Sequence, residues 1–379
     1  MKYLDEFRDP ELARRLLREI RERTTKRWTL MEVCGGQTHS LLRHGIDAEL
    51  CEVVELIHGP GCPVCVTPVE LIDQAQRLAM EPQVLVTTFA DMLRVPGSQR
   101  SLQETRALGG NIRAVYGPLD AVRLAREDRL REVVFFAVGF ETTAPATALA
   151  LRHAIDEGLR NFSILAAHVR VLPVMEMLAR DTRCRVEAFL AAGHVCTITG
   201  MEAYHQFATD HHLPVAVTGF EPLDLLVGIQ ACIDQLEQGM ARAVNCYPRS
   251  VESAGNPHAQ RMVESVYEIA DMEWRGMGLV RQGGYRLRES LREYDAEHRF
   301  GALAVTDRLP IVGSSIAPSP PAVCLSGDVL AGRIKPSACP SFARQCRPEH
   351  PVGAPMVSSE GACAAYFRYA VAEEPWEGG

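Results

Sequence analysis

Short, nearly continuous apolar runs recur along the chain, and stretches with helical periodicity separate them. This alternation limits the possible folds more than any other feature, because parallel strands covered by helices on both faces are unbroken apolar runs. The runs are WTLMEV, CEVVELI, QVLVTTF, IRAVY, VVFFAVGF, FSILAAH and PVAVTGF. The sequence therefore predicts an α/β protein with parallel sheets.

Two segments of the chain resemble each other and indicate two similar halves. VVFFAVGFETTAPATALAL and PVAVTGFEPLDLLVGIQAC each predict a strand, a Gly-Phe-Glu turn and a helix, with the turns at residues 139–141 and 219–221. Ligands of open α/β sheets bind outside the carboxyl ends of the strands. We therefore expect both turns to face a cleft between the halves; turns that serve packing alone are the alternative.

The pattern changes beyond about residue 245, where the chain becomes mostly helical, and proline and glycine become frequent after residue 308. This last stretch is too rich in loops to form a large apolar core of its own, so another interaction must stabilise it. We predict a first α/β domain at residues 1–130, a second at 131–240, and a helical and loop-rich domain at 241–379.

Composition narrows the function classes. The hydrophobic fraction of 47% and the charged fraction of 23% are those of an ordinary globular protein. The net charge is −8 and no basic stretch is dense enough to follow a phosphate backbone, which argues against nucleic acid as a partner. The N-terminal residues do not resemble a signal peptide and no apolar run could span a membrane, so we expect a cytoplasmic protein.

Twelve cysteines need an explanation in a cytoplasmic chain, since stable disulfides are rare in that compartment. Metal ligation or thiol chemistry is the usual alternative. Free cysteine also packs as a small apolar residue. We assign Cys51, Cys184 and Cys232 to that core class, because each lies singly in an apolar or amphipathic context.

Four cysteines lie in the loop-rich C-terminal stretch, separated by 14, 6 and 16 residues. This spacing is neither the tight ferredoxin run nor the paired CxxC of a zinc finger. Four thiolates suit a tetrahedral zinc ion or a [4Fe–4S] cluster, and either could stabilise a segment without a core. Spacing alone does not choose between them, and purely structural thiols are the third possibility. The four are Cys324, Cys339, Cys346 and Cys363.

A second set is the CxxC formed by Cys62 and Cys65 in HGPGCPVC. We predict Thr67 as the N-cap of the next helix, with Pro68 at its first position and Glu70 completing a capping box. A thiol just ahead of a helix N-terminus favours the thiolate form, which suits thiol–disulfide exchange. Half of a metal site is the alternative, but no second CxxC exists to complete it.

The third set is CGGQTH, in which a lone cysteine ends a predicted strand. The two glycines allow a ligand to approach the backbone closely, and the three polar residues supply donors and a possible base. Such a thiol can be a nucleophile or a metal ligand; a strand-end cysteine without chemistry is the alternative. The residues are Cys34, Gly35, Gly36, Gln37, Thr38 and His39.

Weaker candidates remain elsewhere. His194 and Cys196 in AAGHVCTITG could line the same cleft, or they could be a core pair. Cys246 has no partner that the sequence reveals. Four histidines lack metal-site spacing and are predicted to lie on the surface: His205, His211, His212 and His258.

CGGQTH, HGPGCPVC, GFEPLD and the ending MVSSEGACAAYFRYA together resemble the HypD family of [NiFe]-hydrogenase maturation proteins, from about residue 5 to residue 370. The resemblance implies two Rossmann-like α/β domains and an iron–sulfur domain. It implies a scaffold that works with a small HypC partner and assembles an Fe(CN)2(CO) unit for the hydrogenase large subunit precursor. Cyanide would arrive as a thiocyanate on HypE, and its transfer needs electrons. Such a protein is an assembly scaffold with redox activity rather than a conventional turnover enzyme.

The resemblance also implies residue roles. Cys34 would ligate the iron together with a HypC thiolate, supported by His39. Cys62 and Cys65 match the redox-active pair of the family. Small glycines would leave room for diatomic ligands, and polar side chains would donate to the cyanide nitrogens. The implied cyanide donors are Gln37, Thr38 or His39, and the implied [4Fe–4S] ligands are Cys324, Cys339, Cys346 and Cys363.

The chain departs from the family pattern at two places. Ser326 and Pro355 stand where many relatives carry extra cysteines, so electrons would pass without a second disulfide relay. Ala192 and Cys196 stand where proline and serine are expected. The alternative function is a general iron–sulfur thiol–disulfide oxidoreductase, which leaves Cys34 unexplained. A structural zinc-binding interaction protein is a third possibility. A radical enzyme is disfavoured, because the sequence contains no CxxxCxxC motif.

Overall fold

The computed structural model describes residues 5–301 and 324–369 and contains three sheets with helices around them. The predicted α/β class with parallel sheets is confirmed. The strands are β1 (Trp28–Glu32), β2 (Val54–His58), β3 (Val84–Thr88), β4 (Ile112–Ala114), β5 (Glu132–Gly139), β6 (Phe162–His168), β7 (Ala188–Ala192), β8 (Val215–Thr218), β9 (Ala243–Asn245), β10 (Tyr267–Trp274) and β11 (Gly278–Leu287).

Helices cover the faces of these sheets. The α-helices are α1 (Pro10–Arg23), α2 (Gly35–Arg43), α3 (Ile46–Leu50), α4 (Pro63–Val66), α5 (Val69–Met80), α6 (Leu102–Ala107), α7 (Pro118–Glu127), α8 (Ala144–Asp156), α9 (Val171–Arg180), α10 (Gly193–Thr199), α11 (Glu202–His211), α12 (Pro222–Glu237), α13 (Pro257–Val266), α14 (Ala296–Arg299), α15 (Ser326–Leu330) and α16 (Ala362–Tyr369). Short 3-10 turns cover Asp5–Phe7, Ala90–Arg94, Glu289–Tyr294, Pro336–Ala338 and Ala354–Met356.

The two larger sheets are parallel throughout. One has the strand order β2-β1-β7-β8-β9 and the other β4-β3-β5-β6. Strands β10 and β11 form a separate antiparallel pair. Every residue of β6 is buried, as expected for a strand covered on both faces.

The sheets do not follow the predicted domain boundaries. The five-stranded sheet combines residues 28–58 with 188–245, while the four-stranded sheet takes residues 84–168 from both sides of residue 130. The chain leaves the first sheet after β2, builds the second, and returns at β7. Parallel strands are joined by long crossovers, so neighbours in the sequence need not be neighbours in a sheet.

The two Gly-Phe-Glu segments have the predicted local structure. Strand β5 leads through residues 139–141 to α8, and β8 leads through residues 219–221 to α12.

The region beyond residue 245 differs from its prediction. Helix α13 ends at Val266, and the hairpin β10–β11 follows where helix was expected.

The three cysteines assigned to the core have different environments. Cys232 is completely buried against the five-stranded sheet, as predicted. Cys184 is only partly buried, and Cys51, which follows α3, is exposed. Among the helices of the described ranges, none has the length and apolarity needed to span a bilayer.

Candidate functional site

Cys34 lies at the carboxyl end of β1 and is the N-cap residue of α2. Only 5% of its surface is exposed. Burial raises the pKa of the thiol to about 12, and the nearby Glu32 carboxylate adds to this shift. In the free protein, the sulfur is therefore a protonated thiol at neutral pH.

Glycines let two other segments reach the Cys34 backbone. The amide of Gly35 donates to the Gly61 carbonyl at 3.0 Å, and a β carbon on Gly61 would overlap the Cys34 nitrogen. A β carbon on Gly35 would likewise overlap the carbonyl oxygen of Glu360. Gly61 immediately precedes Cys62, so this close approach brings the CxxC onto the Cys34 loop.

The polar residues after Cys34 already have partners. The side-chain amide of Gln37 donates to the Ala191 carbonyl at 3.1 Å and to Thr218 Oγ1 at 2.6 Å. Its oxygen, Oε1, is buried and has no hydrogen-bond partner within the described residues. The hydroxyl of Thr38 donates to the Glu32 carboxylate.

The imidazole beside the Cys34 sulfur belongs to His194. Its Nδ1 lies 3.9 Å from Cys34 Sγ, and its ring lies 5.2 Å from the ring of Phe220 in the second Gly-Phe-Glu turn. Burial lowers the pKa of His194 to about 4, so this imidazole is neutral. His194 follows β7 and was only a weak candidate from the sequence.

His39 is turned toward the C-terminal helix. Its Nε2 lies 2.9 Å from the hydroxyl of Tyr369, and the two rings meet edge to face. Burial lowers the pKa of His39, and the charge of Arg368 adds to that effect. Any support that His39 gives to Cys34 remains a prediction.

Cys62 and Cys65 form a disulfide and are almost completely buried. Both lie in the apolar cluster that contains Cys34.

The predicted capping box at the start of α5 is wrong. Helix α5 begins only at Val69 with Pro68 at the N-cap, and the Thr67 hydroxyl donates to the carbonyl of Pro63 at 2.8 Å instead. The Thr67 hydroxyl, which was expected to cap α5, thus bonds to the first residue of the preceding short helix, α4.

The four C-terminal cysteines line one small apolar cavity, together with Ser326 and Pro355. The backbone N–H of Val352 donates to Cys346 Sγ at 3.4 Å. Burial raises the pKa of Cys363, and the other three thiols of the set raise it further. Loops and short turns place Cys324, Cys339 and Cys346, whereas Cys363 lies in the first turn of α16.

The four cysteines supply thiol sulfurs around one cavity. In the described part of the chain, no group of three or more His, Cys, Asp or Glu side chains is placed to hold a metal ion. A [4Fe–4S] cluster is held at its corners by four cysteine thiolates, which surround a volume rather than a point. Only Cys346 of the four is buried, Cys339 and Cys363 are partly buried and Cys324 is exposed, and mutual repulsion of four neighbouring thiolates would favour a cationic occupant.

The cysteine-lined segment touches the Cys34 loop. Glu360 packs on Gly35 at the start of α2, and Tyr369 contacts His39 in the same helix. Between these two contacts, Tyr366 lies beside His58 at the end of β2. Helix α16, which carries Cys363, therefore lies against the element that begins at Cys34.

The first Gly-Phe-Glu turn contributes a buried carboxyl. Glu141 accepts the backbone N–H of Val171 at 2.9 Å through Oε1, while Oε2 has no partner in the residues that the structure describes. Burial raises its pKa to about 7, against the opposing charge of Arg170. Burial raises the pKa of the nearby Cys196 thiol to about 12, and the charge of Glu141 adds to this shift.

An α/β fold with a buried lone thiol, an adjacent disulfide and a four-cysteine cavity defines a class of cysteine-rich α/β proteins whose thiols are gathered in neighbouring segments. Comparison with known proteins narrows this class. A family model described as HypD, "Hydrogenase formation hypA family", matches residues 11–370. The chain belongs to the HypD family.

Curated relatives in this family are similar to the chain over almost its whole length. The chain is 44% identical over 377 residues to the hydrogenase maturation factor HypD of Rhodobacter capsulatus, covering 97% of this chain and 98% of the relative. It is 41% identical over 377 residues to HypD of Escherichia coli strain K12, with the same coverage. HypD of Rhizobium leguminosarum bv. viciae is 43% identical over 379 residues, 97% of this chain and 96% of the relative.

Proposed function

We propose that this protein is a hydrogenase maturation factor that acts in the cytoplasm as an assembly scaffold. With a small HypC-type partner it holds the iron that becomes the Fe(CN)2(CO) group of a [NiFe]-hydrogenase. A HypE-type protein donates the cyanide, and the hydrogenase large subunit precursor receives the product. The main observation in support is the contact of the Cys34 backbone with Gly61. This contact places the lone buried thiol next to the Cys62–Cys65 disulfide.

Cys34 holds the iron substrate in this proposal. Ligation releases the thiol proton, because the thiolate is the form that binds metal. Thiolate sulfur donates electron density to the iron, and cyanide and carbonyl ligands withdraw it. The almost complete burial of Cys34 keeps water away from these ligands, and His194 lies next to the sulfur as a neutral imidazole.

Cys62 and Cys65 supply electrons for cyanide transfer. Oxidation of the dithiol to the disulfide releases two electrons and two protons. Cleavage of a thiocyanate S–C bond consumes two electrons and one proton and gives a thiol and cyanide. The disulfide is the oxidised form of this couple. Its burial beside Cys34 keeps the electron transfer within the site.

Cys324, Cys339, Cys346 and Cys363 would hold a [4Fe–4S] cluster, which when bound supplies single electrons. One observation supports this assignment: the four thiols line the same cavity. Ser326 and Pro355 line the same cavity, so the cavity of this chain has no fifth or sixth cysteine for a further disulfide.

The second candidate function is a general iron–sulfur thiol–disulfide oxidoreductase, which the buried disulfide favours. That function gives no role to Cys34. The two functions therefore differ in what removal of Cys34 does, because an oxidoreductase that uses only the CxxC would retain its activity.

Complementation tests the proposal. The chain is expressed in a bacterium that lacks its own family member, and hydrogenase activity is measured. We expect restored activity with the wild type, loss with Cys34→Ser, and full activity with Cys51→Ser, which removes an exposed thiol. Activity that survives Cys34→Ser would contradict the scaffold function and favour the oxidoreductase.

A further inference from the structure

We propose that His58 is a positioning residue that fixes the Cys34 loop and couples it, through bound water, to Tyr366 on the helix that carries Cys363. The structure contains the hydrogen bonds from His58 to Glu32 and from Cys34 to Glu32, and the water link to Tyr366 is the inferred step. Its consequence for iron chemistry rests on the function proposed above.

The chain begins at Glu32, whose side chain is completely buried. A buried carboxylate is costly unless hydrogen bonds satisfy it. The backbone N–H of Cys34 donates to Oε2 at 2.8 Å, and the hydroxyl of Thr38 donates to Oε1. These two bonds tie the loop at Cys34 and the first turn of α2 to one carboxylate.

His58 holds that carboxylate in place. Its Nδ1 lies 2.8 Å from Glu32 Oε1, and the two residues are paired across strands β1 and β2. Because a carboxylate accepts, the imidazole carries its proton on Nδ1. The other nitrogen, Nε2, is buried and has no partner among the described residues.

Tyr366 supplies the other end of the connection. Its ring meets the His58 ring edge to face with centroids 5.2 Å apart, and its buried hydroxyl also has no partner in the described ranges. Both residues line a cavity of about 40 Å³ that also contains Lys335 and Arg185. A water molecule needs roughly 10–15 Å³ of such space and two or more polar partners. A bound water can therefore join Tyr366 to His58 Nε2.

The chain has a direct consequence for the two cysteine sites. Tyr366 is three residues from Cys363, and Glu32 is two residues from Cys34. With the inferred water in place, one hydrogen-bonded chain connects the four-cysteine segment to the backbone that presents the Cys34 sulfur. Loss of the His58 bond would free the Glu32 carboxylate to rotate and would release the Cys34 amide.

Two variants of His58 separate positioning from simple packing. His58→Asn keeps a donor toward Glu32, whereas His58→Leu keeps the bulk but not the donor. A hydrogen bond contributes about 1 kcal/mol, equivalent to about fivefold in an equilibrium constant. We expect amide hydrogen exchange at Cys34 to become about fivefold faster in His58→Leu and to stay near the wild-type rate in His58→Asn.

Tyr366→Phe tests the water-linked half of the chain and deletes one hydroxyl only. We expect the ¹⁵N resonance of His58 Nε2 to shift in this variant. Tyr267→Phe is the matched control, because it deletes another buried hydroxyl, in β10 of the hairpin, that has no partner among the residues of the described ranges. We expect no shift in the control.

Both measurements use the full chain without iron, so they remain decisive if no Fe(CN)2(CO) group forms. Unchanged Cys34 exchange in His58→Leu, or an unshifted His58 resonance in Tyr366→Phe, would overturn the inference. In the loaded complex with the HypC-type partner, we expect the cyanide stretching bands of His58→Leu to shift. Bands that coincide with those of the wild type would show that His58 does not set the Cys34 geometry.

Discussion

The backbone of Gly61 lies directly against the backbone of Cys34, so closely that a β carbon at position 61 would overlap the Cys34 nitrogen. The Gly35 amide reinforces this contact by donating to the Gly61 carbonyl at 3.0 Å. Two motifs that are 27 positions apart in the sequence, counted from Cys34 to Gly61, thereby form one site.

The first prediction concerns this contact. Gly61→Ala should destabilise the protein by about 1–3 kcal/mol, because the new methyl group meets rigid backbone rather than a flexible side chain. Denaturant unfolding measures the change. Gly117→Ala is the control, since no atom of the described residues lies within 4 Å of a β carbon at that position. Equal stability of the two variants would contradict the close packing of the Cys34 loop.

The second prediction concerns the reactivity of Cys34 in the free protein. The shift of its pKa from 9.0 to about 12 lowers the thiolate fraction at pH 7 about a thousandfold. Alkylation of Cys34 should therefore be far slower than that of the exposed Cys51 and should accelerate about tenfold per pH unit above pH 7. Peptide mass spectrometry after timed labelling measures both rates. Equal rates at pH 7 would contradict the burial of Cys34.

The third prediction separates electron supply from iron binding. Cys62→Ser removes the disulfide and should abolish the incorporation of cyanide, while the iron bound at Cys34 remains. Iron analysis and infrared spectra of the same sample measure the two properties together. Cys51→Ser, again, is the control for loss of one thiol. Normal cyanide bands in Cys62→Ser would exclude this pair as the source of electrons.

The fourth prediction tests the four-cysteine cavity. Cys339→Ser should lower the iron and acid-labile sulfide content of the anaerobically purified protein, because a cluster of this type needs four thiolate ligands. Gly353→Ala should do the same with all four cysteines intact, since its β carbon would overlap the Cys324 sulfur. Zinc without sulfide in the wild type would contradict the cluster assignment.

The fifth prediction concerns pH. The pKa of Glu141 is raised from 4.5 to about 7 by burial, so the folded state favours the protonated carboxyl. Its contribution to stability is fully present below pH 4.5 and is lost as the pH rises through about 7, an effect of order 3 kcal/mol. Comparing the free energy of unfolding of the wild type and Glu141→Gln between pH 4.5 and 8 isolates this contribution. If the free energies of unfolding of the two proteins changed in parallel with pH, the raised pKa of Glu141 would be contradicted.

The sequence predicted most strands because their apolar runs are long and contain many β-branched or aromatic residues. Strand β7, AFLAA, escaped prediction because small residues without β-branching have low strand propensity. This missed strand affected the prediction of the site, since His194 follows β7 and its Nδ1 lies 3.9 Å from the Cys34 sulfur. The sequence also did not reveal the parallel pairing of β1 with β7, because 155 residues separate Glu32, the last residue of β1, from Ala188, the first residue of β7, and no local pattern encodes so long a crossover.

The candidate site was predicted in its parts rather than in its arrangement. The three cysteine motifs were visible from spacing and from the resemblance to a family. The contacts between them were not, because they depend on glycines whose role is to lack a side chain, such as Gly61. The buried chain through Glu32 and His58 was equally hidden, since a partner across two strands is set by sheet register.

The central claim is that Cys34 holds an iron with cyanide and carbonyl ligands. The most direct test is infrared spectroscopy of the protein purified anaerobically with its HypC-type partner and the HypE-type cyanide donor. We predict cyanide and carbonyl bands in the wild type and in Cys51→Ala, and their absence in Cys34→Ala. The same bands in Cys34→Ala, or an iron-loaded wild-type complex without them, would contradict the claim.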